Sequence, residues 1–245
     1  MNKTLETLYS HVSVRSFEGT ILSAETKDQL LRAAQSGSSS NFVQAYSLLD
    51  ITDPGLRETL ADITNSAAYV KESGAFYIFV ADLYRQAVML EKAGKPLDGI
   101  RTMESLMVAI VDATIAAQSF AVAAESMGLG ICFIGGIRND IRTVAKQLNL
   151  PKFTVPLLGL TVGTPLAKNG VKPRLPKKNV YVENTYDKKT LTDLHDYDAI
   201  MRTYYSERDS NAADTDFTQK MTEFFSVIRR KEVGEFLKEQ GFRLE

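Results

Sequence analysis

The sequence predicts an α+β fold, an α/β sandwich with a central sheet, flanking helices and a helical extension. Three observations carry that reading. Short apolar segments at 75–83 (AFYIFVADL), 131–134 and 155–162 alternate with helical patterns. The first is aromatic-rich and apolar through its middle, as a strand buried on both faces is. An alanine-rich stretch at 103–127 has apolar residues around much of its circumference, which predicts a long helix buried on most sides or lying at an interface. After Gly163 the texture changes to a loop at 164–178 with three prolines and five cations, then to polar helical segments at about 189–206 and 215–240. No linker separates two cores. Residues 1–245 therefore read as one domain, with 164–245 as its loop and extension.

The elements follow in order. Residues 3–10 place Leu5, Leu8 and Tyr9 on one helical face. Ser23 caps a second helix with Glu25 in its first turn, carrying Leu30, Leu31, Ala33 and Ala34 inward and ending near Gly37. Residues 46–52 form a strand, stopped by a turn at Asp53-Pro54-Gly55, and Leu56, Leu60 and Ile63 continue as a helix. Gly128 and Gly130 end the long helix, and Asn139 starts another that runs to Leu148. In the last strand Pro156 stands near the start, where proline does least harm.

Composition narrows the function classes. The chain has 245 residues, 44% hydrophobic and 24% charged, with 29 Lys+Arg against 30 Asp+Glu and a net charge of −1. Such a balance offers no basic face for nucleic acid. One cysteine, Cys132, excludes an internal disulfide framework and a zinc ribbon, and two histidines argue against a His-rich metal site. The apolar stretch 106–129 carries Asp112, Gln118, Ser119 and Glu125, so it reads as a buried helix rather than a membrane span. No apolar signal-peptide core follows Met1. A cytoplasmic protein is expected.

Gly128-Leu129-Gly130 has Phe133 where a dinucleotide fingerprint needs its third glycine, and there is no phosphate loop, HExxH or GxSxG. Cys132 lies in an apolar strand and reads as an inert core thiol. Four elements suited to anions remain. His11, Ser13 and Arg15 alternate, so an extended chain points all three the same way; a solvated segment after a helix fits the same residues. Ser38-Ser39-Ser40-Asn41 offers hydroxyls and amides with little bulk, or is an idle loop. Phe133-Ile134-Gly135-Gly136 can turn backbone N–H groups toward a ligand, or is a tight turn. Lys172-Pro173-Arg174-Leu175-Pro176 presents a point charge and a guanidinium fork on a stiff strap, or is a solvated basic loop.

Their combination and order resemble the nitroreductase superfamily, and more closely its NADPH-dependent, oxygen-insensitive, FMN-binding nitroreductase and flavin reductase group. The resemblance runs nearly the whole length, on HVSVRSF at 11–17, SSSNFVQ at 38–44, AFYIFVADL at 75–83, AAESMGLGICFIGGIRND at 123–140, KPRLP at 172–176, YYSERDSN at 204–211 and EFLKEQGF at 235–242. It implies a homodimer with a central mixed sheet, an extension embracing the partner subunit and FMN in clefts between subunits. His11 and Ser13, with Lys172 and Arg174, would then hold the FMN phosphate. Arg15 would stand by the flavin edge where negative charge accumulates on reduction. Ser39, Ser40 and Asn41 would line the ring and ribityl side, and Phe133, Ile134, Gly135 and Gly136 would give backbone contacts near the reactive nitrogen. Ala67, two residues before Tyr69, stands where the family commonly has a flavin-contacting glutamine. Arg208 matches an arginine that contacts the NADPH 2′-phosphate, while a following basic pair in some relatives falls here on Ala213 and Asp214, which leaves NADH as a possible co-substrate. Phe42 and Arg230 would lie at the substrate mouth. The implied reaction is a ping-pong transfer of two electrons from NAD(P)H to a nitroaromatic, a quinone or free flavin, with no dedicated acid–base dyad and no metal. A flavin carrier or sensor, or another FMN enzyme on the same scaffold, is the alternative.

Overall fold

In the computed structural model, which describes residues 2–208 and 211–244, four strands form one sheet. They are β1 (Tyr46–Asp50), β2 (Ala75–Asp82), β3 (Gly130–Ile134) and β4 (Thr154–Gly163), in the order β1-β2-β4-β3. All three ladders are antiparallel. The expected mixed sheet is therefore mixed only through an isolated parallel bridge, Ser13 to Ile131. Every residue of β2 is buried, which is why it reads as a continuous apolar run rather than an alternating one. Pro156 is accommodated by a register shift, with Phe79 opposite Leu158 and Val80 opposite Pro156, so that Leu157 bulges from the ladder.

Eleven α-helices accompany the sheet among the described residues: α1 (Lys3–Tyr9), α2 (Ala24–Gln35), α3 (Pro54–Thr64), α4 (Ala67–Glu72), α5 (Tyr84–Lys92), α6 (Met103–Ser126), α7 (Ile141–Gln147), α8 (Lys188–Thr192), α9 (His195–Ser206), α10 (Phe217–Phe225) and α11 (Val233–Glu239). They divide between two compact units, Met1–Asn169 with Arg230–Glu245, and Gly170–Arg229. The first holds the sheet, α1–α7 and α11; the second holds α8–α10.

Several elements differ from the sequence reading. Asp53-Pro54-Gly55 is no free turn: the Asp53 carboxylate accepts from the Leu56 amide and Pro54 opens α3. In α2 only Leu30 and Ala34 are buried, while Leu31 is exposed and Ala33 half-buried, because only one narrow stripe faces the core. Asp140, not Asn139, caps α7, since residues 135–138 take a tighter 3-10 turn first. The segment 189–206 breaks into α8 and α9, and the Asn179 side-chain amide occupies the carbonyls of Thr190 and Asp193 at the break. The segment 215–240 breaks into α10 and α11, with Arg230 between them at φ 52°.

Helix α6 meets the length and composition of a membrane span, yet it packs against β2 and α2 in the first unit. Its alanines at 109, 113, 116, 117, 121 and 124 let it approach closely, and Phe120 sits edge-on to Tyr77 and Phe79 at 5.0 and 5.8 Å. Met107 and Val111 face outward.

Strand β3 lies at the edge of the sheet, and residues 13–14 cover that edge, the Val14 amide donating to the Ile131 carbonyl at 2.8 Å. Gly130 makes this possible, because a Cβ there would lie 2.6 to 2.9 Å from three atoms of the Val14 side chain. We expect Gly130→Ala to cost about 1–3 kcal/mol through overpacking and to push residues 11–15 off the sheet. Adding Val14→Ala should recover part of that loss in chemical denaturation; a double variant no more stable than Gly130→Ala would show that Val14 is not the obstacle.

Candidate functional site

The segment 11–15 runs along β3, and residues 133–136 continue from that strand's end, so two of the four predicted elements share one stretch of sheet edge. His11 is fixed from α6: its Nδ1 lies 2.7 Å from Glu125 Oε1. Arg15 is exposed, and Ser13 and Arg15 both lie near the Cys132 thiol. Burial pushes that thiol's pKa up, and the Arg15 charge and the hydrogen bonds from Ser13 and Arg15 work against it.

The turn after β3 is crowded. A Cβ on Gly136 would lie 2.3 Å from the Thr64 carbonyl oxygen, so only glycine allows the turn to rest against the end of α3. Asn139 Nδ2 donates to the Ile63 carbonyl at 3.1 Å and strengthens the same junction. Two guanidiniums flank Gly135, with the nearest nitrogens of Arg138 and Arg230 3.6 and 3.8 Å from where its Cβ would be. Arg138 donates to the Leu157 carbonyl that the bulge in β4 leaves free, and Arg230 Nε donates to Asn139 Oδ1 at 3.0 Å. Burial, then the Arg230 charge, lowers the Arg138 pKa. Neither arginine makes an ion pair among the described residues. The turn thus lies beside two guanidiniums, each held by a hydrogen bond of its own. Arg230, placed at the substrate mouth by resemblance alone, comes beside the glycines, as does Arg138, which with Asn139 follows them in the sequence and leads into the next helix.

The serine loop is held from α6 as well. Asp112, 1% exposed, accepts from Ser39 Oγ at 2.7 Å, from the Ser40 amide at 3.1 Å and from the Ala45 amide at 3.0 Å. Ser39 Oγ also accepts from the Gln44 amide at 2.8 Å, so this hydroxyl is engaged inside the loop. Asn41 and Phe42 are exposed. In the sequence Asp112 speaks only against a membrane span; its signal as an anchor is a carboxylate among helix alanines. Ala67 opens α4 half-buried, and nearby the Tyr69 hydroxyl donates to Ser66 Oγ at 2.6 Å, beside Asn65 in a left-handed conformation.

In the second unit Lys172 and Arg174 are exposed and form no ion pair among the described residues. Their strap is fastened by the Tyr197 hydroxyl, which donates to the Pro173 carbonyl at 3.0 Å, and by Leu175 against the cluster of Tyr197, Met201 and Tyr205. Lys172 Nζ and Lys220 Nζ lie 5.3 and 4.5 Å from the centre of the Tyr205 ring. Arg208 lies 5.9 Å from the centre of the Tyr204 ring. Asp209 and Ser210 of the YYSERDSN motif fall outside the described residues. No cluster of three or more metal-ligating side chains occurs among the described residues.

Known proteins resemble this chain over nearly its whole length. Residues 8–164 match the nitroreductase family and residues 172–245 its C-terminal domain. An FMN reductase (NADPH) of Bacillus subtilis (strain 168) is 41% identical over 246 residues, covering 99% of each chain. The solved structure of NfrA1 from B. megaterium superposes with a TM-score of 0.95 at 40% identity, covering 98% of this chain and 99% of that one. That of NADPH:FMN oxidoreductase from Vibrio harveyi, complexed with NAD+, superposes with a TM-score of 0.89 at 32% identity over the whole of both chains. The protein whose sheet edge, glycine turn and basic strap are described above belongs to the nitroreductase family.

Proposed function

We propose that the chain is an FMN-dependent NAD(P)H oxidoreductase that reduces nitroaromatics, quinones or free flavin in a ping-pong cycle. The carrying observation is the glycine turn at 135–136, flanked by the Arg138 and Arg230 guanidiniums and continuous with the strand that seats Ser13. The donor types fit FMN: in the first unit, hydroxyl, imidazole and guanidinium groups on 11–15 and a glycine turn; in the second, exposed cations on the strap that form no ion pair among the described residues. When bound, FMN supplies the two-electron carrier. By the resemblance, His11 and Ser13 would hold its phosphate, as would Lys172 and Arg174 on the strap; Ser39, Ser40, Asn41, Ala67 and Tyr69 would border the ring and ribityl chain, and Phe133 to Gly136 would offer backbone contacts. Arg15 would supply a positive charge to stabilise the reduced cofactor. By the same resemblance Arg208 would contact the nucleotide, and Phe42 and Arg230 would lie at the substrate mouth. The names of the relatives, an FMN reductase (NADPH) and an NADPH:FMN oxidoreductase, support this reading.

A cytoplasmic homodimer is part of the proposal, with residues 164–245 as the extension toward the partner subunit. Asp112 and Glu125, which hold the 39–41 and His11 ends of the predicted contacts, are separated by about 20 Å along α6 at 1.5 Å per residue. A second copy can complete each end. The outward Met107 and Val111 of α6 and the exposed Leu5, Leu8 and Tyr9 of α1, a helix with no buried residue, offer the apolar surface for it. Sedimentation at micromolar concentration should show a dimer; a flavin-loaded monomer would remove this part.

Anaerobic titration tests the activity. NADPH should bleach the yellow of the purified protein, and a nitroaromatic or quinone should restore it, whereas a carrier or sensor would not cycle. Lys172→Ala with Arg174→Ala should weaken FMN binding by about two orders of magnitude or more, at about 1.5–3 kcal/mol per charge-assisted hydrogen bond. Unchanged occupancy after dialysis would take the strap out of the site.

Cofactor choice gives a separate expectation. Arg208 faces a 2′-phosphate without the basic pair that Ala213 and Asp214 replace, so kcat/KM should favour NADPH over NADH by only about ten- to a hundredfold. Arg208→Ala should raise KM for NADPH and leave NADH nearly unchanged. A variant that keeps its full NADPH preference would show that Arg208 is not the reader.

A further inference from the structure

We infer that Asp112 is a positioning residue for the reaction: its carboxylate holds residues 39–45 in the one shape that presents Ser40, Asn41 and Phe42 outward. The inference rests on the flavin reading above, since that reading makes the loop a wall of the site.

A carboxylate at 1% exposure on an apolar helix is unfavourable unless its oxygens are satisfied. Asp112 has no cation within ion-pairing distance among the described residues, and three donors take its place. Oδ2 accepts from Ser39 Oγ and the Ala45 amide, and Oδ1 accepts from the Ser40 amide. Both ends of the loop are thereby tied to one side chain. Ser39 adds a fourth bond by accepting from the Gln44 amide.

What lies between the ties explains why they are needed. Asn41, Phe42 and Gln44 all have left-handed backbones, with φ of 46°, 58° and 50°. That region is disfavoured for any residue with a Cβ and is unusual for one as bulky as phenylalanine. An untethered loop would relax out of it. Phe42 is 77% exposed, so its conformation is not maintained by burying the ring in this subunit. The strained shape is imposed from α6, and its product is an outward aromatic beside an exposed serine and asparagine. Strain that surrounding structure enforces without a packing return belongs to a presenting loop.

Asp112→Asn is the test. An amide oxygen cannot serve all three donors, because its NH₂ must face at least one of them. The FMN-free variant should be cut by chymotrypsin after Phe42 at least about tenfold faster than FMN-free wild type, well below both melting temperatures, because a protease needs the loop to become extended. The FMN Kd and the KM for a quinone should each rise by about tenfold or more, while kcat of the flavin-saturated variant changes less. Gln44→Gly combined with Asp112→Asn should recover part of the FMN affinity, since glycine adopts the left-handed backbone without penalty yet adds no hydrogen bond. Gln44→Gly alone should bind FMN more tightly than the double variant, because the three bonds to Asp112 remain. Wild-type cleavage, Kd and KM in Asp112→Asn would overturn the inference. So would a lost affinity that follows the fall in melting temperature and is not recovered by Gln44→Gly, because Asp112 would then be structural only. A wild type that binds no FMN would instead overturn the flavin reading, whatever the cleavage rates are.

Discussion

A single buried carboxylate, placed midway along a 24-residue apolar helix, is the constraint to which much of the first unit answers. Helix α6 covers the sheet with alanines, and any small-residue helix could do that. What the alanine surface cannot do is orient polar loops. Asp112 does so by trading bulk hydration for three aimed donors, and Glu125, about three and a half turns further on, does so for His11. The same helix is therefore both core and framework. Asp112 and Glu125 convert distance along a rigid rod into the spacing between the short segments they hold.

Glycine supplies the complementary device. Where α6 fixes loops by bonds, Gly130 and Gly136 admit backbone and side chains to places a methyl group would fill. The first brings Val14, and with it Ser13 and Arg15, onto the edge strand; the second lets the turn rest against the carbonyl of Thr64. The bulge at Leu157 belongs to the same logic, because a proline that disturbs the ladder releases the carbonyl that receives Arg138. Site geometry here follows from small irregularities in a regular sheet.

Strand β2 and helix α6 are legible in the sequence because their burial is continuous and leaves a compositional trace. The basic strap is legible because proline and charge are local signals. Asp53 reads as part of a turn because a turn and a helix cap use the same residues, and only the following amides distinguish them. The break between α8 and α9 depends on Asn179, whose partners lie eleven and fourteen residues away and carry no side-chain signature. Asp112 is visible as a residue but not as an anchor. Two of its three partners are backbone amides, and backbone amides are the same in every sequence. The left-handed run at 41, 42 and 44 has no glycine to announce it.

The return of the chain to the first unit has a consequence for biosynthesis. Phe236 and Phe242 lie in the same apolar cluster as Ala45, Leu83, Leu106 and Phe153, and Phe153 meets Phe242 edge-on at 6.0 Å. The Phe153 amide donates to the Gln240 carbonyl. A ribosome makes the sheet and α6 long before it makes these partners, and the sixty residues of the second unit come between. Until residues 233–242 emerge, one end of the first core stays uncovered, so the nascent chain must hold a partly wet hydrophobic surface while a whole further unit is translated.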